Sequence, residues 1–228
     1  MLRSVFLAFV LIFSLGNASS DKIASLYESG DYTAAVKEAR IASERGDPLA
    51  HAWLGRFYEN GDGVQANAQT AASHYRIAAA QGENYARWRL GVMIDTGAAN
   101  GSLEEAVGYF REAASEDYAN AIVSLAVMQA TGRGTPQDYS AALYSYMRAA
   151  RLGDSGGVRG VGVMFHLGEG VGQDSEEALA WFLVGAAMGN EDSKQAFYDV
   201  AGQMPEVDFK EIEARAMVIA EELGLDVS

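Results

Sequence analysis

The three histidines of this 228-residue chain are the side chains best suited to acid–base or metal chemistry. They are His51, His74 and His166. No two of them are four residues apart, the spacing that places two metal ligands on one face of a helix. We therefore predict ordinary histidines, at the surface or partly buried, and no metal site.

Other reactive groups are scarce as well. The chain has no cysteine, which excludes a thiol nucleophile and thiolate metal ligands. The turn Gly61-Asp62-Gly63 lacks the lysine and the preceding strand of a phosphate-binding loop, so we interpret it as a turn between helices. A triad of serine, histidine and an acid would have to be assembled by folding, and we predict none. The sequence thus predicts no catalytic, metal-binding or cofactor-binding residues, and a protein that is not an enzyme.

The elements that carry these residues repeat with a period of about 36 residues, which is typical of stacked repeat architectures. Equivalent positions lie 36, 35, 36 and 36 residues apart. They are Gly46, Gly82, Asp117, Gly153 and Gly189. A second column follows the same steps, at Leu54, Leu90, Leu125 and Val161.

One repeat shows why each copy is expected to form a pair of helices. Asp47 can cap a helix that begins at Pro48, where the missing N–H costs nothing. Gly61 suits the left-handed conformation that ends a helix. Asn67 can cap a second helix, which Gly82 ends. The sequence therefore predicts an all-α protein built from antiparallel helix pairs.

Small residues recur at one position of the first helix in each pair, at Gly55, Gly91, Ala126 and Gly162. Glycine costs about 1 kcal/mol relative to alanine inside a helix. Its recurrence predicts that neighbouring helices approach too closely for a larger side chain. In another column, Phe57, Met93, Met128 and Met164 are expected in the core.

The pattern that recurs within the chain resembles the Sel1-like repeat. The second pair carries the pattern at Leu54, Gly55, Tyr58, Gly61, Gly63, Val64, Ala71, Tyr75, Ala78, Ala79 and Gly82. The fifth carries it at Gly162, Phe165, Gly168, Gly170, Val171, Asp174, Ala178, Trp181 and Gly189. The third pair, residues 83–117, departs from it, because its turn is one residue shorter and lacks the Gly-x-Gly-Val string. The tetratricopeptide family is the near relative, with a repeat of about 34 residues and no such glycine turn.

The resemblance implies an α/α superhelical solenoid with a concave face that gathers other proteins. Exported bacterial members of the family include regulators of envelope signalling. Some exported relatives bind β-lactam-like compounds, but these carry paired cysteines in each repeat, and this chain has none.

The chain divides into segments on these grounds. The prediction is a signal peptide at 1–18, a degenerate helix pair at 19–46, a repeat array at 47–192 and C-terminal capping helices at 193–228. Within the array the copies are 47–82, 83–117, 118–153 and 154–189. The capping helices are expected to shield the apolar face of the last repeat.

The first residues have the composition of an export signal. Arg3 precedes the apolar stretch Val5–Leu15, and Gly16-Asn17-Ala18 offers small residues for cleavage after Ala18. No later stretch is apolar enough to span a bilayer. We expect a periplasmic protein, with secretion, or retention of the segment as a membrane anchor, as the alternatives.

The charge of −14 argues against nucleic acid or anionic lipid as the partner, since both require a basic surface. Removing the first 18 residues takes away only Arg3, which leaves 16 basic and 31 acidic residues and a charge of −15. The stretch from Glu169 to Asp192 has six acidic residues and no lysine or arginine. It is either a solvated face or an acidic edge for a basic partner.

Candidate contact residues come from columns whose residue type varies between copies. One column reads Ala52, Trp88, Val123 and Arg159, and the next reads Trp53, Arg89, Ser124 and Gly160. Tryptophan and arginine are the residues that anchor protein interfaces. We therefore predict that partners bind at Trp53, Arg56, Arg87, Trp88 and Arg89. The alternative is that the tryptophan rings fill gaps between repeats.

The combined prediction is an exported adaptor or regulator that binds a protein or peptide along its concave face without catalysis. Two alternatives are a cell-wall-related hydrolase, which rests on family analogy alone, and a membrane-tethered scaffold if the first segment is retained.

Overall fold

The computed structural model describes residues 19–204 and 206–225. These residues form helices and turns and contain no strand, which confirms the all-α prediction. The predicted signal peptide lies outside the described residues. No helix in the described part is long and apolar enough to cross a bilayer.

The chain separates into two compact units, of which the first ends at Ser102. In unit 1, α1 includes residues 19–28, and the helices that follow are α2 (Tyr32–Ser43), α3 (Pro48–Asn60), α4 (Ala68–Ala80) and α5 (Asn84–Asp95). Consecutive helices pack side by side from α2 to α5. The core of α1 to α3 consists of Ile23, Ala35, Val36, Ala39, Ala42, Ala50, Leu54 and Phe57.

Unit 2 begins at Leu103. Its helices are α6 (Leu103–Ser115), α7 (Ala119–Thr131), α8 (Tyr139–Arg151), α9 (Ser155–Leu167), α10 (Ser175–Ala187), α11 (Glu191–Ala201) and α12 (Phe209–Glu222). Each of α6 to α10 packs against the next helix, and α11 and α12 both pack on α10.

Side-chain caps start the helices where the sequence predicts them. Asp47 accepts a hydrogen bond from the Leu49 backbone N–H at 3.0 Å, and Asn67 accepts one from the Thr70 N–H at 2.9 Å. Asp138 and Asp174 cap α8 and α10 in the same way. Because each cap binds a backbone donor that the helix leaves unpaired, these residues fix where the helices begin.

The Gly-x-Gly turns set the spacing between consecutive pairs. Gly61 ends α3 with φ of 83°, a left-handed conformation that glycine adopts without strain. The second glycine of the turn, Gly63, lies against the backbone of Tyr32 at the start of α2. A Cβ at Gly63 would come within 2.7 Å of that backbone, so the turn packs where only glycine fits.

The turn between α5 and α6 differs from the Gly-x-Gly turns, as expected from its lack of the Gly-x-Gly-Val string. Helix α5 ends at Thr96 in a right-handed conformation, where α3 ends at a left-handed glycine. The buried Ala99 closes this turn by donating its backbone N–H to the Met93 carbonyl at 2.9 Å.

The small-residue column lies where helices meet closely. A Cβ built on Gly55 would be 2.5 Å from the ring of Tyr75, and one on Gly162 would be 2.6 Å from the ring of Phe182. Both rings are buried, with 0 % and 1 % of their surface exposed. The column of Phe57, Met93, Met128 and Met164 is also buried, as expected.

Candidate functional site

The candidate residues Trp53 and Arg56 lie together on one face of α3. The Trp53 ring is half-buried, stacks on Phe57 at 5.7 Å between ring centres and lies 5.3 Å from Tyr27. The Arg56 guanidinium carbon is 4.3 Å from the centre of the Tyr27 ring and 5.2 Å from that of Trp53. A cation this close to two ring faces is held by their quadrupoles. The arrangement fixes an arginine on an aromatic platform.

A groove of about 200 Å³ runs along this face. Its lining residues on α3 are spaced at helical intervals, and the start of α5 closes the other side. They are Leu49, Ala52, Trp53, Arg56, Glu83 and Tyr85, and we call this site the Arg56 groove. Arg87, Trp88 and Arg89 are not among its lining residues.

Glu83 is the acidic residue of the Arg56 groove, and its carboxylate is engaged locally. It caps α5 by accepting a hydrogen bond from the Ala86 N–H at 2.6 Å. Burial raises the pKa of Glu83, against the opposing effects of backbone hydrogen bonds and of the Arg87 charge. Glu83 therefore serves the helix terminus.

The α5 candidates are held by contacts within unit 1. Arg89 donates from Nε to Glu59 Oε2 at 3.2 Å and forms an ion pair with the same carboxylate through Nη2. Its guanidinium also lies 5.0 Å from the Trp88 ring, and Arg87 donates to Asn84 Oδ1 at 2.9 Å. Arg89 thus links α5 to α3.

The Glu59 carboxylate joins a third helix to this contact. The Tyr75 hydroxyl on α4 donates to Glu59 Oε2 at 2.8 Å. Burial, with Tyr85 and Glu59 nearby, raises the pKa of the Tyr75 phenol, so it stays a hydrogen-bond donor. A carboxylate shared by Tyr75 and Arg89 fixes three helices relative to one another, which is a structural role.

The structure brings together two histidines that the sequence analysis treated separately. His51 on α3 and His74 on α4 place their Nδ1 atoms 3.1 Å apart, and Tyr58 stacks on the His74 ring at 5.7 Å. The two are 23 residues apart, so helical spacing within one element could not have revealed the pair. Among the described residues no group of three His, Cys, Asp or Glu side chains is placed to hold a metal ion.

Ser155 lies in a short motif that the sequence analysis did not consider. Residues 153–157 read Gly-Asp-Ser-Gly-Gly, which matches the Gly-x-Ser-x-Gly pattern of a nucleophile elbow. That motif needs a strand before the serine, but here the turn follows helix α8 and Asp154 caps α9. Ser155 Oγ accepts a hydrogen bond from Asn190 at 3.2 Å, and no histidine bonds to it in the described residues. The sequence pattern therefore matches a nucleophile elbow, but the structure around Ser155 does not.

Sequence reasoning also missed Tyr27, Leu49 and Tyr85, which complete the surroundings of Trp53 and Arg56. Tyr27 belongs to the degenerate first pair, where the repeat pattern gives no guide. Tyr85 stands two residues before Arg87. Its closeness in sequence to the α5 candidates could have identified it as a site residue.

The fold defines a class of protein, the α-helical repeat module. The Sel1 repeat family matches the chain at residues 48–83, 84–118, 119–154 and 158–190. The chain belongs to the Sel1 repeat family. Members of this family are generally interaction modules without catalytic activity.

Solved structures support the predicted solenoid fold. A Sel1 repeat protein from Oxalobacter formigenes is 27% identical with a TM-score of 0.75, over 90% of this chain and 82% of that one. A protective antigen of uropathogenic Escherichia coli is 25% identical with a TM-score of 0.75, over 83% of this chain and 41% of that one. The Sel1-like solenoid prediction is therefore confirmed.

The chain matches only part of a longer curated relative. An uncharacterised protein of Neisseria meningitidis serogroup B is 30% identical over 160 residues, which are 70% of this chain and 33% of that protein. The chain thus spans about a third of the length of this relative.

Proposed function

We propose that this chain is an exported adaptor or regulator that binds a protein partner without catalysis. The observation that carries the proposal is the Arg56 groove, where rigid aromatic side chains and an arginine line a recess on a repeat scaffold. Aromatic residues and arginine contribute much of the binding energy at protein interfaces. Their side chains are held in place before binding, which lowers the entropic cost of association.

Two features support an exported location. The first residues have the composition of a signal peptide, and the E. coli structure that this chain resembles is that of a protective antigen. We propose the periplasm as the location.

Site-specific photo-cross-linking in the native host tests both parts of the proposal. The photoreactive residue p-benzoylphenylalanine replaces Tyr85, which lines the Arg56 groove. Tyr144 is the matched control, because 69% of its surface is exposed and it lies in unit 2. We expect the Tyr85 position to yield a discrete adduct with one envelope protein, recovered from the periplasmic fraction, and the Tyr144 position to lack that adduct. Identical adduct patterns at both positions, or none at Tyr85, would count against binding at this site.

A further inference from the structure

The Arg56 guanidinium lacks the acidic partner that three other arginines of the described residues have. Arg89 pairs with Glu59, Arg148 with Asp117 and Arg215 with Glu177. Arg56 forms no hydrogen bond or ion pair with any described residue, and its contacts are with the rings of Tyr27 and Trp53. A ring face satisfies the charge in part, but it leaves the five N–H donors of the guanidinium available.

The charge around Arg56 differs from that of the chain as a whole. Residues 19–102 contain eight basic and ten acidic residues, a net charge of −2, whereas residues 103–228 contain eight basic and 21 acidic ones, a net charge of −13. The acidity of the protein is therefore concentrated in unit 2. An acidic group that approaches Arg56 meets a nearly neutral unit.

The size and lining of the Arg56 groove indicate which kind of ligand fits it. At about 200 Å³ it is smaller than the roughly 300–1,000 Å³ of sites for whole small molecules. Leu49, Trp53 and Tyr85 give it apolar and aromatic walls beside the guanidinium. Glu83 also lines the groove, where its carboxylate accepts the Ala86 N–H, so the cationic hydrogen-bond donors of the groove are those of Arg56.

We propose that the Arg56 groove receives a peptide segment of the partner that carries an Asp or Glu carboxylate beside a large apolar side chain. The carboxylate accepts hydrogen bonds from the edge of the Arg56 guanidinium, and the apolar side chain packs between Trp53 and Tyr85. A planar guanidinium matches a carboxylate with two parallel hydrogen bonds, which provides direction as well as charge. This inference rests on the proposed protein-binding function and specifies the chemistry of the partner.

Selection from a phage-displayed library of random twelve-residue peptides tests the inference. The baits are the protein purified from cells that express the full chain, its Arg56→Gln variant and its Arg45→Gln variant. Arg45 is an exposed arginine of the same unit that does not line the groove, so its variant controls for the loss of one positive charge. We expect the wild type and Arg45→Gln to enrich peptides with Asp or Glu next to Trp, Phe or Leu, and Arg56→Gln to lose that enrichment.

A synthetic peptide from the selection then measures the contact directly. Replacing its Glu by Gln should weaken binding to the wild type by about tenfold or more, as expected for a charge-assisted hydrogen bond. The same replacement should have little effect on Arg56→Gln, and Arg56→Lys should retain part of the affinity. Circular dichroism melting curves of all variants establish that each is folded.

Three results would overturn the inference: enrichment of basic peptides, no enriched peptide at all, or the same acidic motif selected by Arg56→Gln. These are distinguishable from failure of the proposed function. If photo-cross-linking yields a partner whose capture does not depend on Arg56, the protein is still an adaptor and only the carboxylate contact is wrong. If no partner is captured, the proposed function itself is wrong.

Discussion

Arginines that look alike in the sequence have different roles in the folded protein. Arg56 and Arg89 are both among the predicted contact residues. In the structure Arg89 pairs with Glu59, which also accepts a hydrogen bond from Tyr75, whereas Arg56 rests on two rings without an acidic partner. The residue type therefore marks a candidate, and its neighbours decide whether it is available to bind.

The contact between His51 and His74 predicts a loss of stability in mild acid. Burial lowers the pKa of both side chains; nearby Asp47 opposes the shift at His51, and the charges of His51 and Arg40 add to it at His74. Below about pH 6.5 the unfolded chain therefore binds protons that the native state resists, so the free energy of unfolding falls as pH falls through this window. We expect the double variant His51→Gln/His74→Gln to show a flatter pH dependence in urea unfolding between pH 7 and 5.

The His166→Gln variant gives the comparison for this measurement, since His166 lies in unit 2. An equal pH dependence in the double variant and the wild type would show that the pair does not contribute.

At the scale of the helices, the repeat is defined by how closely neighbouring elements approach. The glycine column of the first helices lies under buried aromatic rings of the second helices, at Gly55 with Tyr75 and Gly162 with Phe182. Glycine lowers the stability of the first helix, but it lets the buried ring of the second helix pack against the first helix's backbone. This close packing offsets the cost. This explains why the small residue recurs at the same position of the repeat.

Replacing Gly162 by Ala tests this explanation. Helix propensity alone would make the change stabilising by about 1 kcal/mol. A Cβ there would be 2.6 Å from the Phe182 ring, which is 1 % exposed. Overpacking in a core costs about 1–3 kcal/mol, so we expect Gly162→Ala to lower the melting temperature.

Gly108→Ala is the matched control, because Gly108 lies inside α6 and a Cβ there would meet nothing within 4 Å. We expect this variant to keep or raise the melting temperature. If both variants were equally stable, close approach would not be the reason for the column.

At the scale of the whole molecule, the end of unit 2 is covered by its last helix. Ile212, Ala216, Ile219 and Ala220 of α12 are buried in one cluster with residues of α10. Arg215 binds Glu177 through two hydrogen bonds of 2.7 and 2.8 Å. Glu177 belongs to the stretch expected to be either a solvated face or an acidic edge for a basic partner, yet its side chain is only 15% exposed. This acidic residue therefore has a basic partner inside the same chain.

Deleting the residues after Met204 should expose that cluster. The truncated protein would lose the packing of α12 on α10, and the Glu177 carboxylate would lose its cation. Repeat proteins need a terminal cap with a polar outer face to stay soluble. We therefore expect aggregation or a broader, earlier denaturation curve, measured by light scattering and urea unfolding.

A pair of point variants separates the loss of packing from the loss of chain length. Ile219 is fully buried, and Ile219→Ala should cost about 2–5 kcal/mol. Met217 is 70% exposed on the same helix, and Met217→Ala should have little effect. A truncated protein that remained soluble and equally stable would show that α12 is not a cap.

The sequence alone determined the helices, their caps and the order of the pairs. Asp47, Asn67 and Gly61 act through hydrogen bonds within a few residues of the chain, so their identity is sufficient to place a helix end. The repetition of these signals then implied the stacked helix pairs. Tertiary structure alone decided that Glu59 engages Arg89 and that His51 meets His74, contacts between residues 30 and 23 positions apart. No local pattern encodes such partners, because they depend on how separate helices pack.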